Sequence, residues 1–235
     1  MKPYYEHGGI TIYHGDCREI LPALADDLAH EIVTDPPYGV QFQSSWRRDT
    51  FDKITGDESQ EVALQGIKEA IRVLRYSRHL YIFGRFDLSL LPITPPVELI
   101  WDKQYVGMGD LNQPWGSQHE YIQFCVSRKR DPGRETGSLA AKLRRGTILS
   151  YPRKDGSVTL HPTEKPVALL RELIESSSRI GETVLDPFMG SGSTLEAARR
   201  EDRNFIGIEI EEKYCEIAAK RLSQEVFQFN TTETK

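Results

Sequence analysis

Apolar positions along the chain fall into two rhythms that alternate from end to end, one of period two and one of helical spacing. GITIYHGD at Gly9 reads as a strand that closes at Gly15 and Asp16, and CREILPALAD at Cys17 as the helix that follows. EIVTD at Glu31 is the next strand and ends at Asp35. After a polar stretch from Gln41 to Ser59, EVALQGIKEAIRVLR at Glu61 shows helical spacing and HLYIFG at His79 is a short buried strand. VELIWDK at Val97 and EYIQFCVS at Glu120 are two further strands flanking the Gly-rich loop GMGDLNQPWGS. PVALLRELIESSSRIG at Pro166 reads as an amphipathic helix with Pro at its start and Gly at its end. The pattern then runs strand TVLDPF, turn MGSGS, helix TLEAARRE, strand NFIGIEI and helix EEKYCEIAAKRLSQE, with a polar tail beyond Phe229. Alternating strands and helices predict an α/β fold with a largely parallel sheet. No internal repeat interrupts it.

Two stretches break the rhythm. VTDPPYGV at Val33 carries an apolar strand straight into a carboxylate, two prolines and a tyrosine. Neither proline has an N–H to donate, so the strand stops there and leaves a stiff corner holding an acid and an aromatic ring. The second stretch, from Arg128 to Lys154, has scattered Gly and Pro and little periodicity, and reads as a loop-rich insertion.

Composition narrows the reading. A chain of 235 residues suits one domain spanning 1–235, and 38% apolar with 28% charged residues is ordinary for a globular protein. Cys17, Cys125 and Cys215 form no CxxC pair, which argues against a disulfide framework or a cysteine-built zinc site, and no metal is expected. A reducing, cytoplasmic setting fits. The N-terminal stretch MKPYYEHGGI lacks the apolar core of a signal peptide, and no run is long enough to span a bilayer, so no membrane partner is expected.

Charge is unevenly spread. The formal net charge is -5, yet residues 128–154 carry nine Lys and Arg against Asp131 and Glu135, a local +7 that leaves -12 for the remainder. A solvated loop accounts for such a run as well as a nucleic-acid contact does.

LDPFMGSGST lies between a strand and a helix, where closely spaced glycines let the backbone approach a ligand and the helix start offers free N–H groups. Glu209 ends the next strand, about twenty residues on, where an acid can hydrogen-bond a ribose hydroxyl pair. No lysine follows the last glycine, so this is no P-loop, and the spacing is not GxGxxG. Asp186 would repel a pyrophosphate and attract a sulfonium or ammonium. A cationic nucleoside therefore suits the turn better than a dinucleotide, although a plain Gly-rich turn fits the same residues.

TDPPYG at Thr34, HPTEKP at His161, DPFMGSGST at Asp186 and FIGIEIEEKYCEIA at Phe205, taken in that order, resemble the amino-methyltransferases of DNA in the subgroup where the catalytic motif precedes the cofactor motif. The similarity runs from YHGDCREIL at Tyr13 to the final helix. It implies a Rossmann-like methyltransferase sheet with helices on both faces, S-adenosylmethionine as methyl donor, and an exocyclic amine of adenine or cytosine in double-stranded DNA as acceptor. Position by position, it sets Asp186, Phe188, Gly190 and Gly192 around the methionine part of the cofactor, Glu209 at the ribose, and Asp16 with Cys17 facing the cofactor's adenine. Thr163 and Lys165 fall near the cofactor's carboxylate end, and His161 shapes their loop. A cytoplasmic enzyme of bacterial or phage origin is implied, with a homodimer and a companion restriction endonuclease among its expected partners. Two departures stand out: the turn reads GSGST where GSGTT is usual, and the target-recognition segment, about residues 128–160, is short.

The resemblance makes Asp35, Pro36, Pro37 and Tyr38 the catalytic group. The lone pair of an exocyclic amine is delocalised into its ring, so the group must accept hydrogen bonds from the amine and draw its nitrogen towards a tetrahedral shape. Asp35 accepts one through its carboxylate and the Pro36 carbonyl another, with Pro37 stiffening the corner and Tyr38 stacking on a base swung out of the duplex. Phe42 or Trp46 is placed to cover the base's other face or to pack in the core. Arg128, Lys129, Arg130, Lys142, Arg144 and Arg145 are the expected phosphate-facing cations, with Arg47, Arg48 and Lys53 a second candidate group. An acid at position 35 favours adenine over cytosine, where serine is more usual; cytosine-N4 methylation and a catalytically inactive nucleic-acid-binding module are the alternatives.

Overall fold

Side-chain alternation along four central strands decides how the chain is layered. The computed structural model describes residues 1–37, 60–106, 112, 114–127, 145–153 and 164–229. Its strands are β1 (Tyr5–His7), β2 (Ile10–His14), β3 (Ala29–Thr34), β4 (Leu74–Phe83), β5 (Val97–Asp102), β6 (His119–Val126), β7 (Ile148–Ser150), β8 (Thr183–Asp186) and β9 (Asn204–Glu209). Its helices are α1 (Cys17–Ile20), α2 (Gln60–Val73), α3 (Val167–Ser177), α4 (Ser193–Arg200) and α5 (Glu212–Phe229). The strands form one sheet in the order β1-β2-β9-β8-β3-β4-β6-β5-β7. β2, β9, β8, β3 and β4 are parallel, whereas β1 and β6 run antiparallel to their neighbours.

Successive residues of a strand point to opposite faces. Val33, Tyr81, Val184 and Phe205 therefore join Leu169, Leu173, Leu195 and Ala218 of α3, α4 and α5 in one core. Their neighbours Ile32, Leu80, Leu185 and Ile206 join Ile20, Ala63, Ile67 and Ile71 of α1 and α2 in the other. Both faces of the sheet are covered, as the near-continuous apolar runs of parallel strands require. Leu169, Leu170, Leu173 and Ile174 of α3 are at most 3% exposed, and each such burial stabilises by roughly 1.5–3 kcal/mol.

Several boundaries differ from the sequence expectation. The helix expected at Cys17 lasts four residues and passes at Leu21–Ala23 into a 3-10 turn with Pro22 at its start, because Pro22 has no N–H to continue an α-helical ladder. The Asp16 side chain caps α1 at the Arg18 N–H, 2.8 Å away. α3 ends at Ser177 and not at Gly181: Ser176 and Ser178 turn their hydroxyls onto the carbonyls of Glu172 and Ile174, at 2.6 and 2.8 Å, the local competition that makes serine a poor interior helix residue. Gly181, at φ +79°, shapes the turn that follows. β4 is longer than HLYIFG, running on from α2 through Ser77 at φ +55°, where Ser77 N–H reaches Ser127 O at 3.1 Å. The short edge strands β1 and β7 went unpredicted. The stretch from Gln41 to Ser59 and most of the basic stretch lie outside the described residues.

Gly207 in the middle of β9 lets the loop after β8 lie across the sheet. A Cβ there would stand 2.4 Å from Met189 Sδ and 2.6 Å from Phe205 Cε1, and Met189 N–H donates to Ile208 O at 2.9 Å. Glycine inside a strand is the usual mark of such a close approach. Gly207→Ala is expected to destabilise the fold by about 1–3 kcal/mol, read as a lowered midpoint in urea unfolding.

Candidate active site

Acids occupy the carboxyl ends of four adjacent parallel strands. In spatial order these are Asp16 just after β2, Glu209 closing β9, Asp186 closing β8 and Asp35 just after β3. The chain leaves β8 through α4 towards β9 and leaves β3 towards α2 and β4, on the other side. The gap between β3 and β8 is thus a topological switch point, the place where an open α/β sheet opens a crevice at its carboxyl edge. Asp35 and Asp186 stand on its two sides.

The loop from Asp186 to Gly192 is held by its own backbone. Gly190 and Gly192 adopt φ +55° and +87°, left-handed values that other residues reach only at a cost of about 1–2 kcal/mol. A Cβ on Gly192 would come within 3.0 Å of Ala218 Cβ, whereas one on Gly190 would project into open space. Gly190 N–H donates to Glu209 Oε2 and Glu211 N–H to Glu209 Oε1, both at 2.8 Å. Glu209 is thereby clamped between the loop and the start of α5. Burial raises its carboxyl pKa, with those two N–H bonds opposing the shift.

Asp186 is 2% exposed. Thr34 Oγ1 donates to its Oδ1 at 2.7 Å and Phe188 N–H at 3.1 Å. Burial pushes the carboxyl up to about 6, against hydrogen bonds from Thr194, Thr34 and Phe188 and with a further upward push from the charge of Asp35. Among the described residues it has no cationic partner. A buried anion lacking a counter-ion beside an open glycine loop is a site for a cationic ligand.

Asp35 has a cation of its own. Lys165 Nζ lies 2.5 Å from Asp35 Oδ2 and 3.3 Å from Glu120 Oε2, and 5.1 Å above the centre of the Phe83 ring. Burial opposes the charge on Lys165, but Asp35 and Glu120 outweigh it and the ammonium pKa is raised. Glu120, also resisted by burial, is held below the usual carboxylate range by Lys165 and Lys103. The preceding residue faces the other way: Glu164 Oε1 accepts from Arg221 at 2.7 Å and from Ser193 Oγ at 3.4 Å. Glu164 and Lys165 thus pin the end of the HPTEKP loop to α5 and α4 on one side and to the β3 corner on the other.

The other sequence candidates fall as follows. Asp16 is engaged by the Arg18 guanidinium at 2.6 Å as well as capping α1. The Cys17 thiol is buried, pushed up to about 12 chiefly by burial, and lies with the Phe188 ring against Gly66 of α2; a Cβ on Gly66 would meet Phe188 Cζ at 2.6 Å and Cys17 Sγ at 2.9 Å. Arg145, expected at phosphate, pairs with Glu172 at 2.5 Å and Glu175 at 3.7 Å on α3. Pro36 and Pro37 follow Asp35 at the β3 corner. Tyr38, Phe42, Trp46, Arg47, Arg48, Lys53, Arg128, Lys129, Arg130, Lys142, Arg144, His161 and Thr163 lie outside the described residues. Thr34, Glu120, Lys103 and Glu164 were not singled out from the sequence, and Glu120 shares its strand run with other polar residues, so no local pattern marks it.

Residues 29–220 match the model of the N6/N4 DNA methylase family. The chain belongs to that family. The methylase is 26% identical to the type II methyltransferase M.HinfI of Haemophilus influenzae, over 91% of this chain and 68% of that one. It is 27% identical to the type II methyltransferase M2.DpnII of Streptococcus pneumoniae, over 95% and 93%. Among solved structures, the M1.HpyAVI complex with S-adenosylmethionine aligns with a TM-score of 0.65 at 26% identity, covering 91% of this chain and 98% of that one. The cytosine-N4-specific PvuII methyltransferase aligns at 0.72 with 17% identity, over 94% and 88%, a likeness of fold. The methyltransferase fold expected from the motifs is therefore present, and the methyl donor is S-adenosylmethionine. Its sulfonium and ammonium would suit Asp186, which has no cationic partner among the described residues, and its ribose hydroxyls would suit the clamped Glu209 carboxylate, whose oxygens keep lone pairs beyond the two N–H bonds.

The raised carboxyl of Asp186 has a measurable consequence. With a folded pKa of about 6 against an ordinary 3.8, its contribution to stability is fully present below about pH 4 and is lost as pH rises through 6. Asp186→Asn is expected to stabilise the ligand-free methylase by about 2–3 kcal/mol at pH 8 and by little at pH 4, while weakening cofactor binding. Thermal unfolding across pH, with cofactor titration of the same protein, checks both.

Proposed function

We propose that this DNA amino-methyltransferase acts on the 6-amino group of adenine in a short specific sequence of double-stranded DNA, reaching the base by flipping it out of the helix. The observation that carries the reading is the placement of Asp35. Its carboxylate stands at the end of β3, across the switch point from Asp186, with the rigid Pro36–Pro37 corner behind it. When bound, S-adenosylmethionine supplies an electrophilic methyl on a positively charged sulfur. Asp35 accepts one hydrogen bond from the amine and the Pro36 carbonyl a second, which localises the nitrogen lone pair towards the methyl. The prolines leave that corner few competing donors and little freedom, so both acceptors keep their directions.

Tyr38 is assigned the stacking face for the extruded base, an interaction of about 1–3 kcal/mol that helps offset unstacking. Phosphate contacts are assigned to the segment from Arg128 to Arg144, and its cation count predicts binding that weakens steeply with salt. Arg145 is the exception in that group, since its guanidinium is already engaged by Glu172. Cofactor contacts are assigned to Asp186, Phe188, Gly190, Gly192 and Glu209. A homodimer would enlarge the DNA contact of so short a recognition segment, and the type II relatives make a companion endonuclease a natural partner.

Mass spectrometry of nucleosides from DNA incubated with the protein and cofactor is expected to find 6-methyladenine. Finding 4-methylcytosine alone would assign the cytosine amine instead. Asp35→Ala is expected to lower the methyl-transfer rate by about 10²–10⁴-fold with cofactor affinity near the wild-type value, measured by single-turnover transfer and equilibrium dialysis. Wild-type turnover by that variant would place the acceptor elsewhere.

A further inference from the structure

The cation beside Asp35 is shared. Lys165 Nζ lies 2.5 Å from Asp35 Oδ2 and 3.3 Å from Glu120 Oε2, and the other Glu120 oxygen lies 3.4 Å from Lys103 Nζ. Signs alternate along this line, from Asp35 after β3, past the Phe83 ring at the end of β4, to Glu120 on β6 and Lys103 after β5. Sheet order β3-β4-β6-β5 makes it a line across the carboxyl edge of the crevice. The Lys165 side chain is only 8% exposed. So little of it reaches solvent that water is a poor substitute for Asp35, yet the oxygen it holds is one the incoming amine requires. A buried ammonium stripped of a partner costs several kcal/mol. It must therefore exchange one carboxylate for another, and Glu120 is the one already facing it.

Resting on the reading of Asp35 as the amine acceptor, we infer that Glu120 is a positioning residue for methyl transfer: it takes the Lys165 ammonium over from Asp35 as the target amine arrives, while Lys103 keeps Glu120 in place. No bond is made or broken in this step, and the network's charge is unchanged. Neutralising Glu120 leaves the ammonium on Asp35 in competition with the amine, which slows transfer without touching cofactor or DNA affinity. A shorter carboxylate at the same position keeps the charge and restores part of the rate. Where Lys165 is absent there is nothing to relocate, and Glu120 loses its effect.

The test is a double-mutant cycle in single-turnover methylation of DNA by the full chain with saturating cofactor, using wild type, Glu120→Gln, Lys165→Gln and the double variant, with Glu120→Asp as rescue and thermal unfolding as the folding control. Glu120→Gln is expected to slow transfer roughly tenfold, within the range of coupling between contacting residues, with KM for DNA unchanged. In the Lys165→Gln background the same substitution is expected to cost almost nothing, and Glu120→Asp is expected to lie between wild type and Glu120→Gln. Should Glu120→Gln fail to fold, the intermediate rate of Glu120→Asp with unchanged KM carries the comparison, and a wild-type rate there overturns the inference. Equal losses in both Lys165 backgrounds, no loss at all, or a change in KM alone also overturn it. A wild-type chain that transfers methyl to DNA but ignores Glu120 overturns this inference only, whereas a chain that transfers none overturns the reading of Asp35 as well.

Discussion

Two carboxylates on adjacent strand ends repel each other, and the arrangement at the β3–β8 switch point follows from how that conflict is resolved. Asp35 and Asp186 feel each other, since the charge of Asp35 contributes to the raised carboxyl of Asp186. Lys165 is given to Asp35. Among the described residues, Asp186 receives only neutral donors, from Thr34, Thr194 and the Phe188 N–H. On the proposed reading the asymmetry divides the labour: a carboxylate with a built-in partner trades it for an amine, while the other takes a cationic ligand.

Most of the sheet was legible because its signal is local. Neighbouring pairs such as Ile32 and Val33, or Leu80 and Tyr81, are both apolar, and the structure sends one of each pair to either face. One stop signal was equally local, with Gly15 following β2, whereas the strand read as TVLDPF ends at Asp186, since Pro187 has no N–H to continue the ladder. β1 and β7, three residues each, are too short to set up a period. The end of α3 was misplaced because Ser176 and Ser178 turn their hydroxyls onto the helix's own carbonyls, the latter three residues before the glycine that marks a usual stop.

The site was legible where the motifs carry it and silent where distant segments meet. Asp35 and Lys165 are 130 positions apart and no period links them. Glu120 opens a strand run in which a polar residue is unremarkable, so its place beside Lys165 emerges only when β6 is seen to start where β4 ends, with Phe83 paired to Ile122. The opposite edge of the sheet makes the contrast clear. Glu31 is wholly buried on β3, its carboxyl pKa held well above the ordinary range mainly by burial, and Arg78 and Arg203 near it are committed to Glu182 and to the Ser178 and Glu201 carbonyls. The same residue chemistry is structural at one end of a strand and faces the crevice at the other.

Acids lining the crevice also bear on how DNA can approach. Asp16, Glu209, Asp186 and Asp35 follow one another along the carboxyl edge, and the chain outside residues 128–154 carries -12. Arg18 and Lys165 offset Asp16 and Asp35, but a phosphate brought to Asp186 and Glu209 meets repulsion. A neutral base meets none, and a sulfonium is attracted. On the proposed reading, the crevice therefore admits the extruded base and the cofactor's cationic end while keeping the backbone that carries the base at its rim. On the same reading phosphate neutralisation falls to a separate basic segment, the one between Arg128 and Lys154 in an otherwise acidic chain.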